Sequence, residues 1–149
     1  MNNLPRFIFF FLLLSGTIFM TTTADATPTK NLPPCLNTPN CVSSQATDER
    51  HYIAPFKISG NPLKAWGEFR KAITQRKRMV ITHETETRLH AEATSLVFHF
   101  VDDIDAILDV AAGLIHIRSA SRIGHSDFGV NRKRIETFRE ELKKSRVLG

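Results

Sequence analysis

The order of apolar periodicities predicts an α+β domain: a helix, an antiparallel four-stranded meander, and a closing helix. Three observations carry this. Leu63, Trp66, Phe69 and Ile73 recur at helical steps. From Met79 to Arg122 the period falls to that of strands separated by short turns. Ile135, Phe138 and Leu142 then restore a helical stripe. Short connections favour antiparallel neighbours, and two amphipathic helices then cover one face of the sheet.

The first 26 residues read as a targeting segment. Arg6 forms a basic start, Phe7 to Met20 is an almost continuous apolar run, and Ala24-Asp25-Ala26 is a small-residue cleavage pattern. The run is shorter than the about 20 residues of a spanning helix. The expectation is therefore an exported, periplasmic protein beginning at Thr27, with an uncleaved inner-membrane anchor as the alternative. Removing residues 1–26 takes away one base and one acid, so the net charge of +5 is unchanged. A basic exported chain favours acidic surfaces, lipid headgroups or phosphorylated small molecules. An envelope protein partner fits the same compartment, and nucleic acid is not an expected partner.

Residues 27–60 read as an irregular arm, because prolines at 28, 33, 34, 39 and 55 forbid a long regular element. Tyr52-Ile53 and Phe56 are the apolar residues expected to dock it. Cys35 and Cys41 are the only cysteines, and an isolated close pair in an oxidising compartment reads as a disulfide. Its C-x5-C spacing is not the C-x-x-C of redox chemistry.

The domain proper is expected over 61–149. Asn61 caps and Pro62 opens the first helix, and Trp66 lies on its core stripe. Met79–Glu84 is the first strand. Leu89–Phe100 reads as a longer second strand with a bulge near Thr94, where the apolar parity changes. Asp102–Val110 also fits a helix, but its alternation of Ile104, Ala106 and Leu108 with aspartates reads as the third strand. Gly113 turns the chain into a fourth strand that runs from Leu114 to Arg122. Gly124–Gly129 is a loop, and Ser126 or Asp127 caps a last helix from about Val130 to Ser145.

The candidate site is the junction of the last strand and last helix. Arg132, Lys133 and Arg134 place three cations in the first helical turn, where the dipole favours acids. Free helix N–H groups, together with Arg118, Arg122, Arg132 and Arg134, could hold an external anion. Ser119, Ser121, Asp127 and Asn131 line the same stretch, with His90, Glu92, Asp102 and Asp103 behind them. The rival arrangement is internal: Asp102, Asp103, Asp105 and Asp127 pair with these arginines and bind nothing else.

Catalytic patterns are weaker. His90 and Glu92 share a strand face and His116 could stand across from them, yet no H-E-x-x-H spacing supports a metal. Ser119, Ser121 and Ser126 lie near His125 and Asp127, but no G-x-S-x-G elbow occurs. No cofactor or metal is expected, and the reading leans away from an enzyme.

Several of these segments together resemble a known family. They are Pro39-Asn40-Cys41-Val42-Ser43-Ser44, His90-Ala91-Glu92, Phe100-Val101-Asp102-Asp103 and Arg118-Ser119-Ala120-Ser121-Arg122. The last continues through Gly124, Asp127 and Gly129 to Asn131-Arg132-Lys133-Arg134. The chain is similar over roughly 33–145 to the domain-of-unknown-function 1499 family. The resemblance implies a bacterial protein that is exported or membrane-linked, or a plastid relative. It brings no activity, and it implies that the separated motifs belong to one shared arrangement.

Overall fold

The computed structural model describes residues 30–149. The expected leader lies outside the described residues, among which no helix is long and apolar enough to cross a membrane. The architecture is α+β, with eight elements in the order β1 (Cys41–Ser43), β2 (Phe56–Lys57), α1 (Pro62–Thr74), β3 (Met79–Glu84), β4 (Arg88–Thr94), β5 (Val101–Asp109), β6 (Leu114–Ser121) and α2 (Val130–Lys144). The expected meander is present as β3 to β6, but the sheet has six strands rather than four. Its order is β1-β6-β5-β4-β3, with β2 also on β6, and all these pairings are antiparallel.

The two additional strands come from the arm, which is less irregular than its prolines suggest. β1 pairs Cys41, Val42 and Ser43 with Ala120, Ser119 and Arg118. β2 pairs Phe56 and Lys57 with Ile115 and Leu114. Between them Ser44 continues the ladder, its N–H donating to the Ile117 carbonyl and its Oγ accepting from the Ile117 N–H. These strands are too short to show a periodicity, and their residues become strands because β6 offers an open edge. The Cys35–Cys41 disulfide ties the start of the arm to β1.

Both helices cover one face of the sheet. Trp66, Phe69 and Ile73 from α1 and Ile135, Phe138 and Leu142 from α2 join Leu89, Ala91, Ile104, Ala106, Ile115 and Ile117 in one core. The alanines on β4 and β5 leave room for large rings, and Phe69 stacks edge-on with both Phe56 and Phe138. Leu63, counted in the expected stripe, is exposed instead. Ala65 and Ala72 complete the buried face in its place. Ile53 and Phe56 dock the arm as expected, whereas Tyr52 is half exposed.

The expected long second strand stops at Thr94. Ser95 closes a hairpin loop on Phe100 through a backbone bond of 2.8 Å and a hydroxyl that accepts the Phe100 N–H at 2.9 Å. His99 takes φ 54° in that loop. Leu96, Phe98 and Phe100 keep an apolar alternation without belonging to a strand, which is why periodicity extended it. The bulge falls in β3 instead, between Ile81 and His83.

Candidate functional site

The strand β6 sends alternate side chains to opposite faces, so the arginine–serine stretch is divided by the sheet. Ser119 and Ser121 point to the helix face, Arg118 and Arg122 to the other. The site residues accordingly form two clusters, back to back, instead of converging on one point.

On the helix face the hub is Asn131, whose side chain is fully buried. Its Oδ1 accepts from Ser119 Oγ and from Arg134 Nη1, both at 2.6 Å. Its Nδ2 donates to the Asn40 carbonyl at 3.1 Å, Ser121 Oγ at 2.9 Å and Asp127 Oδ2 at 2.8 Å. Arg134 completes the cluster by donating to Ser119 Oγ at 2.9 Å and to Asp102 Oδ2 at 2.5 Å. Arg134 and Asp102 are both about nine-tenths buried. The N-cap of α2 is Gly129 rather than the expected Ser126 or Asp127, but Asp127 still serves the helix start. Its carboxylate accepts from the N–H of Gly129 and of Asn131, each at 2.9 Å. The negative charge that the dipole favours is therefore supplied from the preceding loop, beside the cationic first turn.

On the opposite face, register alone assembles a charged ladder. His90, Asp105 and Arg118 are consecutive partners across β4, β5 and β6, and Glu92 pairs with Asp103 one step along. Asp105 receives His90 Nδ1 at 2.7 Å on one oxygen and Arg118 Nη1 at 2.9 Å on the other. Arg122 reaches Asp103 at 2.8 Å and Glu92 at 2.5 Å through the same Nη2. These two carboxylates raise the guanidinium's already high pKa, Asp103 more than Glu92. Arg118 Nε is buried and has no hydrogen-bond partner among the described residues.

Arg132 belongs to neither cluster. Its guanidinium donates to the carbonyls of Arg50 and Tyr52, each at 2.9 Å, and so clamps the arm to α2. Two residues not counted in the site prove central to it. Asp105, in the sequence one of several possible internal anions, joins His90 to Arg118. Asn40 donates to the Gly124 carbonyl at 2.6 Å and accepts from Thr38 Oγ1 at 2.7 Å, joining the arm to the β6–α2 loop. Its only sequence signal is its place beside Cys41 in the arm motif.

The catalytic alternatives meet definite geometry. Ser119 faces an amide and a guanidinium, not an imidazole. His116 pairs with Ile107 and stands 3.4 Å from Ser44 Oγ, one row away from His90 rather than across from it. His90, Glu92 and Asp103 do present ligand atoms within 4.8 Å of one another. Arg122 Nη2 already bridges Glu92 and Asp103, so a metal ion there would have to displace a bound cation.

A cleft of about 450 Å³ opens beside the helix-face cluster, where the end of α1, the β4–β5 hairpin and the start of α2 meet. Arg76, Lys77, Arg78, Thr94, Val130 and Arg134 are among its lining residues. Lys77 and Arg78 have no ion pair among the described residues, whereas Arg76 is held by Glu141 at 2.7 Å.

The fold and the two clusters define a small α+β domain whose charged and amide side chains largely bind one another across strands and loops. The chain belongs to the family described as a protein of unknown function, DUF1499, whose profile matches residues 31–142. No curated protein matches it.

Proposed function

We propose that this chain is a non-catalytic interaction domain of the cell envelope, exported through its first 26 residues, with the arginine–serine junction as its internal frame. One observation carries the reading: Arg118, Arg122 and Arg134 each end on a carboxylate of this chain, and Arg132 ends on two of its carbonyls. Arginines so occupied set the spacing of β4, β5, β6 and α2. What they position is the surface around the junction.

Urea titration tests this. Removing one partner of a buried ion pair leaves an uncompensated charge, at a cost of about 3–5 kcal/mol. Arg134→Ala should therefore lower stability by that amount. Arg132→Ala, whose partners remain solvated, should cost about 1 kcal/mol or less. Inorganic phosphate provides the contrast. An Arg134→Ala protein of wild-type stability that had lost a phosphate-dependent rise in midpoint would mean an external anion site instead.

A second reading takes an anionic small molecule or a lipid headgroup as ligand. It is supported by Lys77 and Arg78, which line the cleft without an ion pair of their own among the described residues.

A further inference from the structure

Three connections meet at one pole of the molecule. The Thr94 N–H donates to the Arg78 carbonyl, which sets the α1–β3 turn against the β4–β5 hairpin. The Arg122 N–H donates to the Val101 carbonyl, which sets the β6–α2 loop against the other end of that hairpin. Leu96, Val97, Phe98, Phe100, Ile123, Phe128 and Val130 are all exposed there. These are seven of the twelve large exposed apolar residues described, so the exposure is concentrated and not scattered over the surface.

Two details mark this as more than a loosely packed end. Phe128 is 96% exposed and holds φ 52°, a backbone conformation that a bulky residue rarely adopts. Phe98 and Phe100 stack on each other, with centroids 5.4 Å apart, and not on the core. The backbone thus holds these aromatic rings outward, away from the core.

Charge then selects the occupant. Lys77, Arg78 and Lys133 lie in or beside these loops, next to Arg76, Arg122 and Arg132, whose guanidinium groups are already held by carboxylates or carbonyls of this chain. The acids in or beside the same segments are already engaged: Asp127 by the start of α2 and Asn131, Asp102 by Arg134 and Asp103 by Arg122. Apolar tips beside Lys77, Arg78 and Lys133, three cations without an ion pair among the described residues, fit the boundary between headgroups and acyl chains of an anionic bilayer. A protein groove would match the apolar tips but leave the cations without partners. We infer that this pole docks peripherally on an anionic membrane surface, with Phe98, Phe100 and Phe128 entering the acyl boundary and Lys77, Arg78 and Lys133 meeting headgroups. The inference rests on the interaction-domain reading and names its partner.

The full chain carrying Phe128→Trp gives a local probe, because its native tryptophan, Trp66, is buried in the core. It is mixed with phosphatidylcholine vesicles, with or without phosphatidylglycerol, and with brominated acyl chains as quenchers. The expected result is a blue shift and quenching at position 128 with the anionic vesicles only, reversed by high salt. Lys77→Glu with Arg78→Glu should weaken that partition roughly tenfold or more, since each cation near the surface contributes substantially. Both sites lie on the surface, so urea midpoints should stay at wild type. An indole that stays in water with every vesicle overturns the inference, as does equal insertion into neutral vesicles. A blue shift that depends on protein concentration without lipid quenching also overturns it, because the pole would then be covered by a second copy. None of these outcomes alters the stability of Arg134→Ala, so the membrane inference and the internal-frame reading fail separately.

Discussion

Asn131 shows how much one side chain can organise. Its amide joins α2 to β6, to the arm through the Asn40 carbonyl and to the loop through Asp127, all without solvent. A buried amide is tolerated only when its donors and acceptor are matched, and here they are. Asn131→Ala strands several partners at once, and each unsatisfied buried group costs about 1–3 kcal/mol. We therefore expect a loss of about 2–4 kcal/mol by chemical denaturation, with the hydrogen bonds of Ser119 and Arg134 disturbed in the variant's structure. A loss below about 0.5 kcal/mol, with the cluster intact, would mean that water replaces the amide. Arg134 and Asp102 are the second such dependence. Their interaction is properly read from a double-mutant cycle, because each single removal also counts the abandoned charge.

The arm is the element whose organisation owes least to its own sequence pattern. Its two strands are held by β6, by the Arg132 clamp and by the disulfide. Within it, the buried His51 ring contacts the Thr38 carbonyl at 3.0 Å and Asp48 at 2.9 Å. Hydrogen bonds from the His51 side chain and backbone hold the Asp48 carboxyl below its ordinary value of 3.8. A lowered carboxylate contributes stability above that ordinary value and loses it as pH falls through the folded one. Acidification below about pH 4 should therefore loosen the 44–53 segment. Amide exchange at Ser43, Tyr52 and Ile53 should rise there relative to β5. Reduction of Cys35–Cys41 should cost the domain about 2 kcal/mol, as expected for a small closed loop, while the core melts in one transition. A second, earlier transition on reduction would show that the arm folds independently of β6.

Over the whole molecule, the sheet separates an apolar face from a charged one. The helices close the first. The second carries the ladder from His90 to Arg122, and residues 30–34 reach that face where Arg88 donates to the Asn31 carbonyl. β6 is central in both senses, with β5 along one edge and β1 and β2 sharing the other. Local opening follows burial and pairing, so amides of β5 and β6 should exchange slowest. Those of β3, a free edge with a bulge and mostly exposed residues, should exchange fastest among the long strands. Equal protection of β3 and β6 would contradict this and would imply that β3 is covered in solution.

The sequence by itself determined the α+β class, both helices, the strands β3, β5 and β6, the disulfide and the family. All but the family are written in local periodicity, capping or close spacing, and the family is carried by the motifs from Pro39 to Arg134. It also brought forward both arrangements of the arginines, external and internal, without deciding between them. Tertiary structure supplied the internal partners, because which acid meets which arginine depends on strand register: Asp105 faces Arg118 and Asp103 lies by Arg122 only once β5 and β6 are aligned. It also turned an irregular arm into two strands, since a two- or three-residue strand has no period and exists only where an edge receives it. Finally it ended β4 at Thr94 and placed Leu96–Phe100 in solvent beside Phe128. Alternation records which residues are apolar, and only the folded chain determines whether they meet a core or point outward.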